Sequence, residues 1–82
     1  MTGTYLPAEA AQWSDRLIAQ RRKLVTAALD LARIEEDIAR TFRVIAARSP
    51  DRAEHLLEQA NEAHVTAGKQ RALARRYDPA SP

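Results

Sequence analysis

IAARSPDRAEHL, residues 45–56, interrupts a chain that otherwise has the character of continuous helix. Its proline, Pro50, is the only one between residues 7 and 79. A proline pushes the preceding residue out of the α region, and Ser49 followed by Pro50 suits the start of a new helix. We therefore predict a helix over residues 7–48, a turn at 49–50 and a second helix over residues 50–77.

A seven-residue repeat of large aliphatic residues runs through the first predicted helix, at Leu17, Leu24, Leu31, Ile38 and Ile45. The second predicted helix carries an alanine at every seventh position, namely Ala53, Ala60, Ala67 and Ala74. A short connection makes two helices antiparallel neighbours. Folding the chain about residue 49 predicts that the leucine–isoleucine column packs against this alanine row, with large residues facing small ones.

The sequence therefore predicts an all-α protein, an antiparallel two-helix hairpin of coiled-coil type. The apolar stripe on its first helix is broader than a seam with one partner helix requires, and it suits contact with two neighbours. We expect a four-helix bundle, completed by dimerisation or by a partner protein. Residues 1–6 are predicted to be flexible and residues 78–82 to form a disordered tail.

The two predicted helices differ in length, so the beginning of the first projects beyond the second. Large apolar residues on such an end are rarely left in water, and we expect them to form an interface with a partner. The candidate interface residues are Trp13, Leu17, Ile18, Val25 and Tyr77.

Composition narrows the range of functions. The 82 residues include no cysteine and only two histidines, which argues against a disulfide, a thiolate metal site or a zinc site. No catalytic, cofactor or metal motif is apparent. No signal peptide and no apolar stretch of ~20 residues is visible, so we expect a cytoplasmic protein without membrane contact. The abundance of arginine and alanine suggests a GC-rich bacterial genome or a phage of such a bacterium.

Charge is segregated along the predicted hairpin. Near its open end, residues 15–24 and 69–78 carry eight basic and two acidic side chains, a net charge of +6, whereas residues 35–62 have a net charge of −3, from four basic and seven acidic side chains. The basic set consists of Arg16, Arg21, Arg22, Lys23, Lys69, Arg71, Arg75 and Arg76. It could bind an anion, either nucleic-acid phosphate or an acidic protein face, or it could be a solvated end that favours the helix C-terminus through its dipole.

Polar residues next to predicted core positions offer a second candidate site. Folding about residue 49 places Glu35 near His64. A buried pair of this kind can be an acid–base couple, but in helical bundles it more often determines register and partner choice.

The stretch LIAQRRKLV of residues 17–25, followed later by Asp51-Arg52-Ala53-Glu54, resembles the all-helical chorismate mutases. That resemblance implies a dimer built on a long first helix, with arginines holding a dicarboxylate; Arg22 and Arg33, eleven residues apart, would share a face. The sequence departs from the family where its first helix continues unbroken, in lacking a third helix, and in lacking a suitably placed lysine.

Three functional hypotheses follow. The first is a non-enzymatic protein–protein interaction module, a small adaptor, regulator or accessory subunit whose partner is another protein or a second copy of itself. The second is a nucleic-acid-associated protein that uses the basic open end. The third is a small helical-bundle enzyme resembling chorismate mutase.

Overall fold

The computed structural model describes residues 7–80 and confirms the predicted hairpin. Helix α1 covers Pro7–Arg48, a 3-10 turn covers Pro50–Arg52, and helix α2 covers Ala53–Tyr77 and packs along α1. No strand occurs within the described range. The predictions for residues 1–6 and 81–82 lie outside it.

The turn between the helices is closed by the backbone. Ser49 leaves the helical region at φ −133° and ψ 78°, as expected of a residue before proline, but its side chain forms no cap hydrogen bond. Instead the Ser49 N–H donates to the Ala46 carbonyl at 3.3 Å, and the Arg52 N–H donates to the Ser49 carbonyl at 2.9 Å. These bonds reverse the chain within three residues, so α2 must run back along α1.

Eight of the nine buried residues in the range 8–80 are alanines on the facing sides of the two helices, and we call them the alanine seam. The seam consists of Ala28, Ala32, Ala39 and Ala46 on α1 and Ala60, Ala63, Ala67 and Ala74 on α2. Leu56 is the one large side chain buried in residues 8–80, and Phe42 packs at the seam's edge. The predicted packing of the leucine–isoleucine column against the alanine row is therefore wrong, since α1 turns its own alanines towards α2.

Small residues on both helices explain this arrangement. Without bulky side chains between them, two helices can approach to the short end of the usual ~8–10 Å spacing. The buried alanine methyls are each worth only ~0.8 kcal/mol, against about 1.5–3 kcal/mol for a fully buried large aliphatic side chain. Burial within the seam therefore contributes little to the stability of the hairpin, and most of the large apolar side chains lie outside the seam.

A glycine inside α2 offers a test of this helix's local stability. A Cβ added at Gly68 would meet nothing within 4 Å, and the residue does not have a positive φ. Replacing Gly68 by alanine should therefore raise the free energy of unfolding by about 1 kcal/mol, the difference in helix propensity. Urea unfolding followed by circular dichroism at 222 nm measures the change; a lower stability would mean that this face of α2 is occupied.

A bilayer-spanning segment is not among these elements. Neither helix, over the part of the chain that the structure describes, is apolar enough along a sufficient length to cross a membrane.

Candidate protein-interaction surface

Large aliphatic residues form a continuous line along one flank of α1, which we call the aliphatic stripe. They are 38–59% exposed, although each is an apolar side chain: Leu17, Leu24, Leu31, Ile34, Ile38 and Ile45. On a helix with 100° per residue, these six positions fall within an arc of about 100°, next to the seam. A patch of this length is unusual on a monomer, so the stripe is a candidate interaction surface.

The stripe continues onto the end of α2. Leu24 and Leu31 line an open hollow of about 170 Å³ together with Leu73 and Tyr77 of α2. The hollow is almost wholly apolar, and its floor includes Ala28 of the seam. The apolar surface therefore spans both helices near the open end of the hairpin.

Towards the turn, the α1 side of the same face is apolar and the α2 side is mainly polar. A groove there is lined on α1 by Glu35, Ile38 and Phe42, and on α2 by four residues that are mainly polar: Gln59, Glu62, Ala63 and Thr66. Ile34 and Ile38 lie on the outer side, with Phe42, in a further hollow on α1. Between the open end and the turn, therefore, the apolar part of this face belongs to α1 and the polar part to α2.

The structure divides the five predicted interface residues between two flanks. Trp13 and Leu17 are more than half exposed and continue the line of the stripe, and Tyr77 lies in its hollow. Val25 lies on the opposite flank, in a hollow shared with Leu29. Ile18 is half-buried on that same flank by its position in the helix.

The opposite flank carries an ion cluster at mid-length. Nδ1 of His64 lies 3.1 Å from Oε1 of Glu36, and a guanidinium nitrogen of Arg71 lies 3.4 Å from the same oxygen. Because an ionised carboxylate can only accept, both partners donate to it. The predicted pairing of Glu35 with His64 is therefore wrong by one residue: the rotation that turns the alanines inward brings Glu36 to α2 and leaves Glu35 on the stripe side.

This cluster predicts a pH effect. Partial desolvation raises the pKa of Glu36, but the hydrogen bonds from Arg71 and His64 outweigh it, so the pKa lies below its usual value. The contribution to stability is thus complete above the pKa of an unfolded glutamate, about 4.3, and is lost as the pH falls through the lower folded value. Thermal melts between pH 3 and 7 should show this loss in the native protein.

The matched control for that effect is Glu36→Gln, which keeps the shape and removes the titrating group. The melting temperature of this variant should change less between pH 5 and 3 than that of the native protein. Equal slopes for the two proteins in this interval would show that Glu36 does not contribute.

The predicted anion-binding residues are spread over several surfaces. The Arg16 guanidinium lies 5.8 Å from the centre of the Trp13 ring, and Arg71 is engaged with Glu36. Arg71 and Arg75 line a hollow that also contains Asp78, whereas Arg22 and Lys23 line a separate one with Asp30. The remaining three residues of the set are exposed: Arg21, Lys69 and Arg76.

The described residues show no candidate metal site. Within residues 7–80, no three histidine, aspartate or glutamate side chains are grouped so that they could hold a metal ion. The described part of the chain also buries no polar or charged residue.

Sequence reasoning assigned most of the stripe to the interior and missed Ile34 and Leu73 as surface residues. The sequence nevertheless contains a pattern that indicates the observed rotation of α1. Ala32, Ala39 and Ala46 directly follow members of the leucine–isoleucine column, so α1 has an alanine row of its own beside the large residues.

Comparison with known protein families, with curated proteins and with solved structures found no match for this chain.

Proposed function

We propose that this protein is a non-enzymatic protein–protein interaction module, acting as a small adaptor, regulator or accessory subunit. The observation that carries the proposal is the aliphatic stripe, whose six residues are all at least 38% exposed. Its partner completes a helical bundle by packing helices against this face.

The distribution of apolar residues supports this function energetically. The seam uses alanine, the smallest apolar side chain available, while leucine and isoleucine are placed where a partner can reach them. Covering a half-exposed leucine or isoleucine contributes on the order of 1 kcal/mol. Covering the six stripe residues therefore contributes more free energy than burying the same number of alanine methyls in the seam does.

The nucleic-acid alternative stays a prediction that no particular contact favours. Its eight basic residues lie on different flanks of the hairpin, and Arg71 already donates to a carboxylate. The enzyme alternative also lacks a supporting cluster, since Arg22 lines a shallow hollow with residues of α1 alone.

Affinity purification from an extract of the source cells tests the proposal. The bait pair is the native chain and a Leu24→Gln/Leu31→Gln variant, which makes the centre of the stripe polar. The matched control is Val44→Gln/Val65→Gln, because these valines are 47% and 48% exposed, like Leu31 at 48%, but lie on the outward faces.

We expect a stoichiometric partner to be retained by the native and control baits and lost by the stripe variant. Circular dichroism on each bait shows whether the helices are retained. If the stripe variant remains helical and retains the same partners as the native bait, the stripe is not the interaction surface.

A further inference from the structure

We infer that the partner on the aliphatic stripe is a second copy of this chain, packed antiparallel so that Leu31 lies at the two-fold axis. The inference rests on the proposed function and names the occupant of its surface. Three features of the described residues support it: the spacing of the stripe, the polarity of α2 and the distribution of charge.

The stripe is symmetric about its centre. Its heptad column contains five residues, and Leu31 is the third. If two α1 helices cross antiparallel with Leu31 facing the partner's Leu31, then Leu24 faces the partner's Ile38 and Leu17 faces the partner's Ile45. In this register every member of the column meets another member, and Ile34 comes level with the small side chains of the partner's Ala27 and Ala28.

The two halves of this face make the antiparallel arrangement the better one. If the two-fold axis is perpendicular to the helices, α1 packs on the α1 of the other copy and α2 on its α2. If the axis is parallel to the helices, α1 packs on the α2 of the other copy. The second arrangement would cover Ile38 with the polar residues Gln59, Glu62 and Thr66 of the partner. Only the first buries apolar on apolar along the length of α1.

Charge selects the same arrangement. With Glu9 of the projecting segment included, the open end (residues 7–24 and 69–78) carries a net charge of +5, from eight basic and three acidic side chains, and the turn half a net charge of −3. Antiparallel packing places the basic open end of each copy beside the acidic turn half of the other, and parallel packing would place the two basic ends together. Residues 14–20 of α1, which extend beyond the end of α2, then lie against residues 42–48 in the turn half of the other copy.

The available area matches what a dimer requires. The stripe, together with Trp13, Leu73 and Tyr77, exposes apolar surface on the order of 500–900 Å² per copy. A standard stable interface buries roughly 800 Å² per partner. A second copy therefore covers this surface in a single symmetric contact, with a four-helix bundle as the product.

Single-cysteine cross-linking of the full chain tests the register, because the native sequence has no cysteine. Leu31→Cys should form a disulfide-linked dimer under mild oxidation. Leu17→Cys alone should not, because the two copies of residue 17 would be about 42 Å apart along the bundle at 1.5 Å per residue. Mixing Leu17→Cys with Ile45→Cys should restore the cross-link between the two different chains.

A spin label at Val44→Cys, on the outward face, gives the arrangement without altering the interface. The two labels should be about 40 Å or more apart in the antiparallel dimer, since residues 31 and 44 are about 20 Å apart along the helix. Parallel hairpins would bring them within about 25 Å, taking two helix diameters as the width of the bundle. A short distance, or self-linking of Leu17→Cys, would overturn the antiparallel arrangement.

Sedimentation of the native protein needs no variant and tests the occupant itself. We expect twice the 9.2 kDa mass of the chain at micromolar concentration. A helical monomer at every concentration would overturn the second copy as the occupant. It would leave the proposed function standing if the extract experiment still yields a stripe-dependent partner, so the two failures are distinguishable.

Discussion

Replacing Leu24 and Leu31 together by glutamine should convert the purified protein from a dimer into a monomer. Both residues are about half exposed in the single hairpin and lie at the centre of the stripe. Each occurs twice in a symmetric dimer, so four leucines lose their cover. At roughly 1–1.5 kcal/mol for each, the loss is about 4–6 kcal/mol, a thousandfold to ten-thousandfold weaker association.

Monomerisation should also lower the stability of the helices. Because the alanine seam contributes little apolar burial, dimerisation and helix stability should be linked, and the melting temperature of the native protein should rise with its concentration. Sedimentation and circular dichroism at two concentrations measure both quantities. The double variant should show no dependence of the melting temperature on concentration.

The control for this prediction is Val44→Gln/Val65→Gln. These two valines have almost the same exposure as Leu31 but face away from the stripe. Glutamine is the better helix former, so the control should associate like the native protein and be at least as stable. If the control dissociated to the same extent, the effect would come from general surface hydrophobicity and not from the stripe.

The sequence predicted the hairpin but not the rotation of its helices. Pro50 and the seven-residue repeats determine where the chain reverses and that both helices are amphipathic. The leucine–isoleucine column and the following alanine row are 100° apart on α1, and a hairpin can form with either one inward. The choice depends on what covers the other row, because the two helices of one hairpin cannot bury both.

The error in the ion pair has the same origin. Turning α1 so that Ala32 and Ala39 enter the seam also moves Glu36 to the side of His64. Trp13 and Leu17 are exposed, as the unequal helix lengths led us to expect, and their role in an interface stays a prediction. The sequence did not reveal the exposed large residues along the middle of α1, because the seven-residue column had been assigned to the interior.

Ala67→Leu should be among the most destabilising substitutions in the chain. Ala67 is 0% exposed in the centre of the seam, where three added carbon atoms have no space. Overpacking a well-packed core costs about 1–3 kcal/mol, and here the leucine must also separate two helices held together by small side chains. For a small domain, a loss of about 3 kcal/mol is a large part of the total stability.

Urea unfolding measures this loss against Ala72→Leu, an exposed alanine on the same helix, which should change the free energy of unfolding by no more than about 0.5 kcal/mol. Should Ala67→Leu prove too unstable to study, Ala67→Gly gives a smaller loss of about 1–2 kcal/mol from propensity and the missing methyl. A fully stable Ala67→Leu would mean that the helices can stand apart around large side chains. The leucine–isoleucine column could then turn inward, and the stripe would no longer be the surface that a second copy covers.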